Sequence, residues 1–407
     1  MISTACLPLL AALLYAQSDE SLERRRDRLG ARVEALRGIA YKTPVTMAEG
    51  SRRDAATLAL EQARELYGAN LASFESVLKA LRLLPSPVKL ELAIPAAAGA
   101  SLQAYYGRGR LYVIDPRISD DELVFRLAIA LSDQHGGGSP GAEESSYDAR
   151  MARLAVRQGD ADMTKQLFWA GLKVDGARTD PSHLKKLVEG AEKWERETSR
   201  YASLVMPRLF VRSADFPWRR GGIFMETMRQ EGAADRLAKV YAKPPASTEQ
   251  VLHPEKYLKE GPPVLLDLKP LEEFFAARKS AALYVTTLGE LGTAVFFESL
   301  LEAPRPEAAE GWGGDRLAAW KEGDRTLVVW ATAWDREQDA REFEDAAATA
   351  AFKLNAEDDT ARAFVVRRRT SAAFVLNCPQ GLKDSVVAAL WKGTRTAGSV
   401  TEPFGKE

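Results

Sequence analysis

The sequence predicts an α+β protein: a mainly helical body with a short β-hairpin, followed by a C-terminal ββαββα unit. Three observations carry this. Apolar residues recur at helical spacing through most of the chain before residue 260, and LQAYYG and RLYVID alternate around Gly107-Arg108-Gly109. Beyond residue 310, short apolar runs joined by tight polar turns flank helical stretches. A length of 407 residues suits two or three domains, and 46% hydrophobic with 28% charged residues describes a globular chain rather than a disordered one.

Residues 1–16, MISTACLPLLAALLYA, form an uncharged apolar run too short to span a bilayer with flanks. They read as an export signal cleaved near Ala16, which implies a periplasmic or extracellular protein; a buried N-terminal helix is the alternative. A helical section over 17–99 follows. Leu22, Leu29, Val33 and Leu36 give one apolar helix face over 19–38, and the Arg24–Arg26 triplet, interleaved with acids, reads as its solvated side. Two more helices are expected over Arg52–Tyr67, closed by Gly68, and Leu71–Leu83, stopped by Pro85.

The second section, 100–303, opens with the hairpin. Ser119 and Glu122 suggest a capping box for a helix reaching Gln134, with Leu123, Leu127, Ala130 and Leu131 on one face. Helices over Tyr147–Leu172, Pro181–Leu204 and 217–260 follow, the last broken at Pro244-Pro245. VLLDL after Pro263 reads as a strand and Leu283–Leu301 as a helix. Pro304 and Pro306 mark a linker into the 304–407 unit. There RLAAWK and TLVVWATAW make a strand pair, Glu337–Leu354 a helix, RAFVVRR and AAFVLN a second pair, and Leu382–Leu390 a last helix.

Composition narrows the chemistry. Lys+Arg 56 against Asp+Glu 57 leaves a net charge of -1, so no overall field favours nucleic acid, and no nucleic-acid partner is expected. No later apolar run reaches membrane length. Only His135, His183 and His253 and two cysteines, Cys6 and Cys378, are available. None has the spacing of a metal site, so neither metal nor cofactor is expected, and loss of the signal leaves Cys378 as the sole thiol. Gly137–Gly141 matches G-x-S-x-G, but a helix precedes Ser139 and Pro140 has no N–H for an oxyanion hole. Gly107-x-Gly109 reads as a turn, and Asp160-x-Asp162 with Glu143 and Glu144 as water-facing acids. His183 reads as exposed, and Trp194, Trp218, Trp312, Trp320, Trp330 and Trp334 as core and interface residues.

At Pro244–Tyr257 the chain reads PPASTEQVLHPEKY, and this stretch resembles a family of predicted exported bacterial zinc metallopeptidases in which PP-x-STEQ-x-LHPEKY recurs. Further islands agree in order: Asp133-Gln134-His135, Gly159-Asp160-Ala161, Gly222 and Phe224, Leu288-Gly289-Glu290, Gly311–Arg316, Trp334-Asp335, Asp339-Ala340 and Phe343. The resemblance spans about residues 100–390 as islands. It implies a zincin-like body, with an H-E-x-x-H helix running into D-Q-H and a third ligand, Glu, from E-G-D-A.

Anchored on Asp133-Gln134-His135, the positions of that motif hold Phe125, Arg126 and Ile129, and Gln158 stands where the glutamate belongs. Phe and Ile cannot ligate, and Arg replaces the general base with a permanent cation. The expectation is therefore a catalytically inactive metallopeptidase-like protein that binds or scaffolds a protein or peptide partner. Arg126 is expected to pair with an acid such as Asp160, and Asp133, His135 and Asp160 are the possible cleft residues. Ser247, Glu249, His253 and Tyr257 are expected to act structurally, His253 by a hydrogen bond that fixes its loop. Two alternatives stay open: a metal-independent hydrolase built on His135, Asp133 or Glu144, and an accessory subunit of an active paralogue.

Overall fold

The computed structural model describes residues 20–98, 102–135, 146–171, 181–202, 206–259, 261–301, 303, 305–357, 362–369, 372–397 and 400–403. The expected signal, Gly137–Gly141, Glu143 and Glu144 lie outside the described residues. The fold is α+β, built of helices and three small sheets among the described residues.

Helix α1 (Leu22–Arg37) starts where Ser21 Oγ accepts the Arg24 N–H, and it buries Leu29, Val33 and Leu36 as their spacing requires. Strand β1 (Thr46–Glu49) and helices α2 (Arg52–Tyr67), α3 (Leu71–Ala80) and α4 (Leu90–Ala98) follow. The hairpin of β2 (Ala104–Gly107) and β3 (Arg110–Val113) forms, and β1 joins it parallel to β3. The N-terminal section is thus not all helical. TMAE is too short to show alternation, and it is drawn into strand geometry by the free edge of the hairpin.

Helices α5 (Asp120–His135), α6 (Tyr147–Trp169), α7 (Pro181–Ala202) and α8 (Arg208–Ala242) make the body. The α8 helix begins before Pro217 and passes through it; the proline removes one N–H donor, and packing of its neighbours Phe216 and Phe224 in the core holds the helix through it. At the crossing of α6 and α8 the backbones touch: a Cβ on Gly159 would lie 2.1 Å from the Gly221 carbonyl carbon.

Short helices α9 (Thr248–Leu252) and α10 (Pro254–Lys259), strand β4 (Leu265–Asp267) and helix α11 (Lys269–Ala277) lead to the second half. The single helix expected over 283–301 is instead β5 (Ala282–Thr286) followed by α12 (Gly289–Leu300). Tyr284 and Val285 favour an extended backbone, and β5 pairs antiparallel with the strand over 312–322. The ββαββα order then appears as β6 (Trp312–Glu322), β7 (Arg325–Trp334), α13 (Glu337–Glu357), β8 (Arg362–Arg369), β9 (Ala372–Pro379) and α14 (Lys383–Leu390). Beyond the expected end, β10 (Thr394–Ala397) and β11 (Val400–Pro403) form a pair that adds to β4.

The five-stranded sheet has the order β5-β6-β7-β9-β8, so it reaches back across the expected linker at residue 304 to include β5. Its side chains alternate between two covered faces. Leu317, Ala319, Val328 and Trp330 join the core of α12, α13 and the helical body, where Trp330 meets Phe296 and Phe343 edge-on. Ala318, Trp320, Leu327 and Val329 face α11 and α14, with Phe275 stacked 4.3 Å from Trp320. Burial on both faces explains the near-continuous apolar runs of β6 and β7. Among the described residues, no helix is long and apolar enough to cross a membrane.

Candidate functional site

Two places collect the residues that the sequence singles out. The first is the α5–α6 pair. Ile129 is buried with Leu127, Ala128 and Ala161, and Phe125 packs against the same cluster. Arg126 reaches back one turn, its Nε donating to Glu122 Oε1 at 2.8 Å, while its guanidinium carbon stands 5.2 Å from the Phe125 ring centre. From α6, Lys165 places its ammonium 5.4 Å from that ring and 5.9 Å from Trp218 on α8. Gln158 is half-buried one turn before Asp162. Two cations and an aromatic ring thus occupy this face.

The expected Arg126–Asp160 pair does not form, because Arg126 finds an acid on its own helix and Asp160 faces inward. Asp160 lies 2.6 Å from an Arg37 guanidinium nitrogen, with side chains 2% and 3% exposed. Ser132 Oγ donates to Asp160 Oδ2 at 2.9 Å, and the Tyr241 hydroxyl donates to the same oxygen. Burial, reinforced by the Asp160 charge, holds the Tyr241 hydroxyl well above its ordinary value, so it remains a donor. Asp160 and Asp162 are therefore not water-facing acids; Asp162 is held by Lys165 at 3.1 Å and Gln166 at 2.6 Å.

Asp133-Gln134-His135 fastens the end of α5 to the segment after α1. Gln134 Oε1 accepts from the Lys42 and Thr43 N–H groups, and its amide donates to the Thr43 carbonyl. His135 Nε2 lies 2.7 Å from the Ala40 carbonyl, which makes Nε2 the protonated nitrogen. Asp133 accepts from the Tyr106 hydroxyl at 3.4 Å. Asp133, His135 and Asp160 thus address three different neighbours. His183 is half-buried on α7, and Trp218 is 38% exposed rather than core. Trp312, Trp320, Trp330 and Trp334 are buried.

The second place is the seam between the helical body and the sheet, where most of the sequence islands meet. Ser247 caps α9, its Oγ accepting the Gln250 N–H, and Thr248 donates its N–H and hydroxyl to Asp148 Oδ1 on α6 at 2.9 and 2.5 Å. The same hydroxyl accepts the Leu291 N–H. Glu249 accepts from Lys256 at 2.6 Å, and Lys256 also bridges to Asp335 at the end of β7. His253 Nε2 meets Glu290 Oε1 at 2.9 Å, and the Tyr257 hydroxyl donates to the Lys243 carbonyl at 2.8 Å. Asp315 accepts the Leu288 and Gly289 N–H groups and the Trp312 indole N–H at 2.8–3.0 Å. Gly289, at φ 75°, fits between the two acids; a Cβ there would lie 1.8 Å from Asp148 Oδ1.

Burial dominates the electrostatics of the seam. It pushes Asp148 up to about 8 against the two Thr248 bonds, Glu249 up to about 7 against Lys256, and Asp315 up to about 6 against its backbone donors. Burial also raises Glu290, whose second oxygen has no hydrogen-bond partner among the described residues, with His253 acting against it; the Glu290 hydrogen bond raises His253 in turn. Burial lowers Lys256, but Asp335 and Glu249 outweigh it and leave the ammonium above its ordinary value.

These acids titrate near 4 when unfolded, so the folded state holds protons that the unfolded chain has lost. Their contribution to stability is fully present below about pH 4 and is lost as pH rises through about 6, 7 and 8. Asp148→Asn keeps the Oδ1 acceptor and cannot ionise. It is expected to flatten the fall of the urea midpoint between pH 6 and 9; an unchanged slope would show that Asp148 does not carry it.

Sequence reasoning missed Arg37, Ser132, Tyr241, Asp148 and Lys256. Arg37 was visible only as a cation in a last helical turn, and Asp148 carried no local signal. Among the described residues, no group of three His, Cys, Asp or Glu side chains is placed to hold a metal ion.

A family described as a domain of unknown function (DUF8575) matches residues 282–389. That span runs from the first residue of β5 to the penultimate residue of α14 and so covers the five-stranded sheet with α12, α13 and α14. No curated protein and no solved structure matches the chain.

Proposed function

We propose that this chain is a catalytically inactive relative of zincin-like metallopeptidases, exported and retained to bind or scaffold a protein or peptide partner. One observation carries the reading. The positions equivalent to the two histidines, the general base and the glutamate ligand hold Phe125, Ile129, Arg126 and Gln158, and the surrounding face is filled by an aromatic ring with two cations over it. Zinc needs anionic or imidazole donors there. An apolar side chain, a guanidinium and an ammonium do not fit it. The islands that pack and hydrogen-bond are present, as in the Ser247–Tyr257 stretch and the acids of the seam.

The uncharged apolar run over 1–16 supports export. The test is hydrolysis of a casein and an ester substrate by the purified chain, with and without chelator. The expected result is turnover indistinguishable from buffer in both. Chelator-sensitive cleavage would overturn the reading, and chelator-resistant cleavage abolished by His135→Ala would favour a metal-independent hydrolase.

A further inference from the structure

The outer strand of the sheet carries a feature that the proposed function does not use. β8 ends the strand order, and among the described residues no strand pairs with its outer edge. Its last residues are Arg367-Arg368-Arg369, and the pleat sends them to opposite faces. Arg368 turns to α13, its Nε donating to Glu344 Oε2 at 2.8 Å. Arg367 and Arg369 are on the other face and exposed, beside an open groove that Asp384, Val387, Ala388 and Trp391 of the α14 region also line.

Among the described residues, neither Arg367 nor Arg369 has a carboxylate at ion-pair distance. Arg367 donates to the Val366 carbonyl, and the Arg369 guanidinium carbon stands 4.7 Å from the Trp391 ring centre. The ring face attracts the Arg369 guanidinium. The result is an open strand edge beside two same-face cations, each lacking a counter-charge.

We propose that this edge binds an extended peptide segment with acidic residues at alternate positions, added antiparallel or parallel to β8. Residues two apart on a strand lie about 6.8 Å apart, so carboxylates at i and i+2 of an added strand match Arg367 and Arg369. The outer-edge backbone groups of β8, which no strand pairs among the described residues, supply main-chain hydrogen bonds, and the two guanidiniums select charge and register. Asp384, also lining the groove, disfavours a segment that is acidic at every position. The proposal is independent of whether the helical body once held zinc.

The test uses the purified full chain and a fluorescein-labelled peptide, Thr-Glu-Val-Glu-Thr-Glu-Val, followed by anisotropy. Controls are the same peptide with Gln for Glu, the same peptide methylated on alternate backbone amides, and a labelled oligothymidylate. The acidic peptide is expected to bind, and Arg367→Glu with Arg369→Glu to weaken it by about tenfold or more. The Gln and methylated peptides should bind as weakly as the variant does. Arg367→Gln with Arg369→Gln, checked for an unchanged urea midpoint, serves if the charge reversal disturbs folding. No binding of the acidic peptide, equal binding of the Gln peptide, unaltered binding by the variants, or binding of the oligothymidylate alone would each overturn the proposal.

Discussion

Arg37→Ala is expected to destabilise the chain by about 3–5 kcal/mol, read from the urea midpoint and slope. The guanidinium is 3% exposed and lies 2.6 Å from an Asp160 oxygen that is itself buried. Removing it leaves a carboxylate in the interior with, among the described residues, only the Ser132 and Tyr241 hydroxyls as side-chain partners. Neither hydroxyl brings a charge, so the buried carboxylate is left without a counter-charge. Asp160→Asn on the Arg37→Ala background removes the stranded charge and should recover part of the loss; this coupling distinguishes an ion pair from simple loss of arginine packing. A cost below about 1 kcal/mol for Arg37→Ala would show that the pair does not organise the body.

Gly159→Ala is expected to cost about 3 kcal/mol, although alanine is the better helix former. The new Cβ would sit 2.1 Å from the Gly221 carbonyl carbon and 2.3 Å from its oxygen. These are backbone atoms of α8, so no side-chain rotation relieves the overlap and the two helices must part. Parting them loosens the cluster in which Ala155 and Val156 of α6 meet Phe224 and Met225 of α8. Gly190→Ala on α7 is the control. Among the described residues, nothing beyond its own helix backbone lies within 4 Å of the new Cβ, so it should raise stability by about 0.5–1 kcal/mol. Equal responses at the two glycines would contradict the close helix crossing.

The sequence made the helices legible where an apolar face or a terminator marks them, as in α1 with Leu29, Val33 and Leu36 on one side and α2 closed by Gly68. Tight turns between apolar runs made the β6–β7 and β8–β9 pairs legible as well. Elements held mainly by distant partners were not. β1 has four residues and no alternation until the hairpin edge is present, and β10 and β11 depend on β4, more than a hundred residues earlier. No proline separates β5 from α12 and the Thr286–Gly289 break is short, so the sequence reads as one helix through both, whereas pairing with β6 decides the conformation of β5.

The same distinction governs the site. The resemblance, anchored on Asp133-Gln134-His135 and Gly159-Asp160-Ala161, pointed to Phe125, Arg126, Ile129 and Gln158, because it is read along one chain segment at a time. Charge partners are defined in space: Arg126 prefers Glu122 on its own helix, and the acid assigned to it, Asp160, takes Arg37 from a different helix. Glu290 and Asp315 belonged to recognisable islands, but their meeting with His253 and Gly289 at one seam required the fold.

Metal content of the purified chain, after incubation with zinc and exhaustive dialysis, tests the central claim most directly. If Phe125, Arg126, Ile129 and Gln158 stand where the proposed relationship puts the zinc motif, no zinc should remain in fixed proportion to protein, and added zinc should not raise the melting temperature. One zinc retained per chain, with a matching rise in melting temperature, would contradict the account.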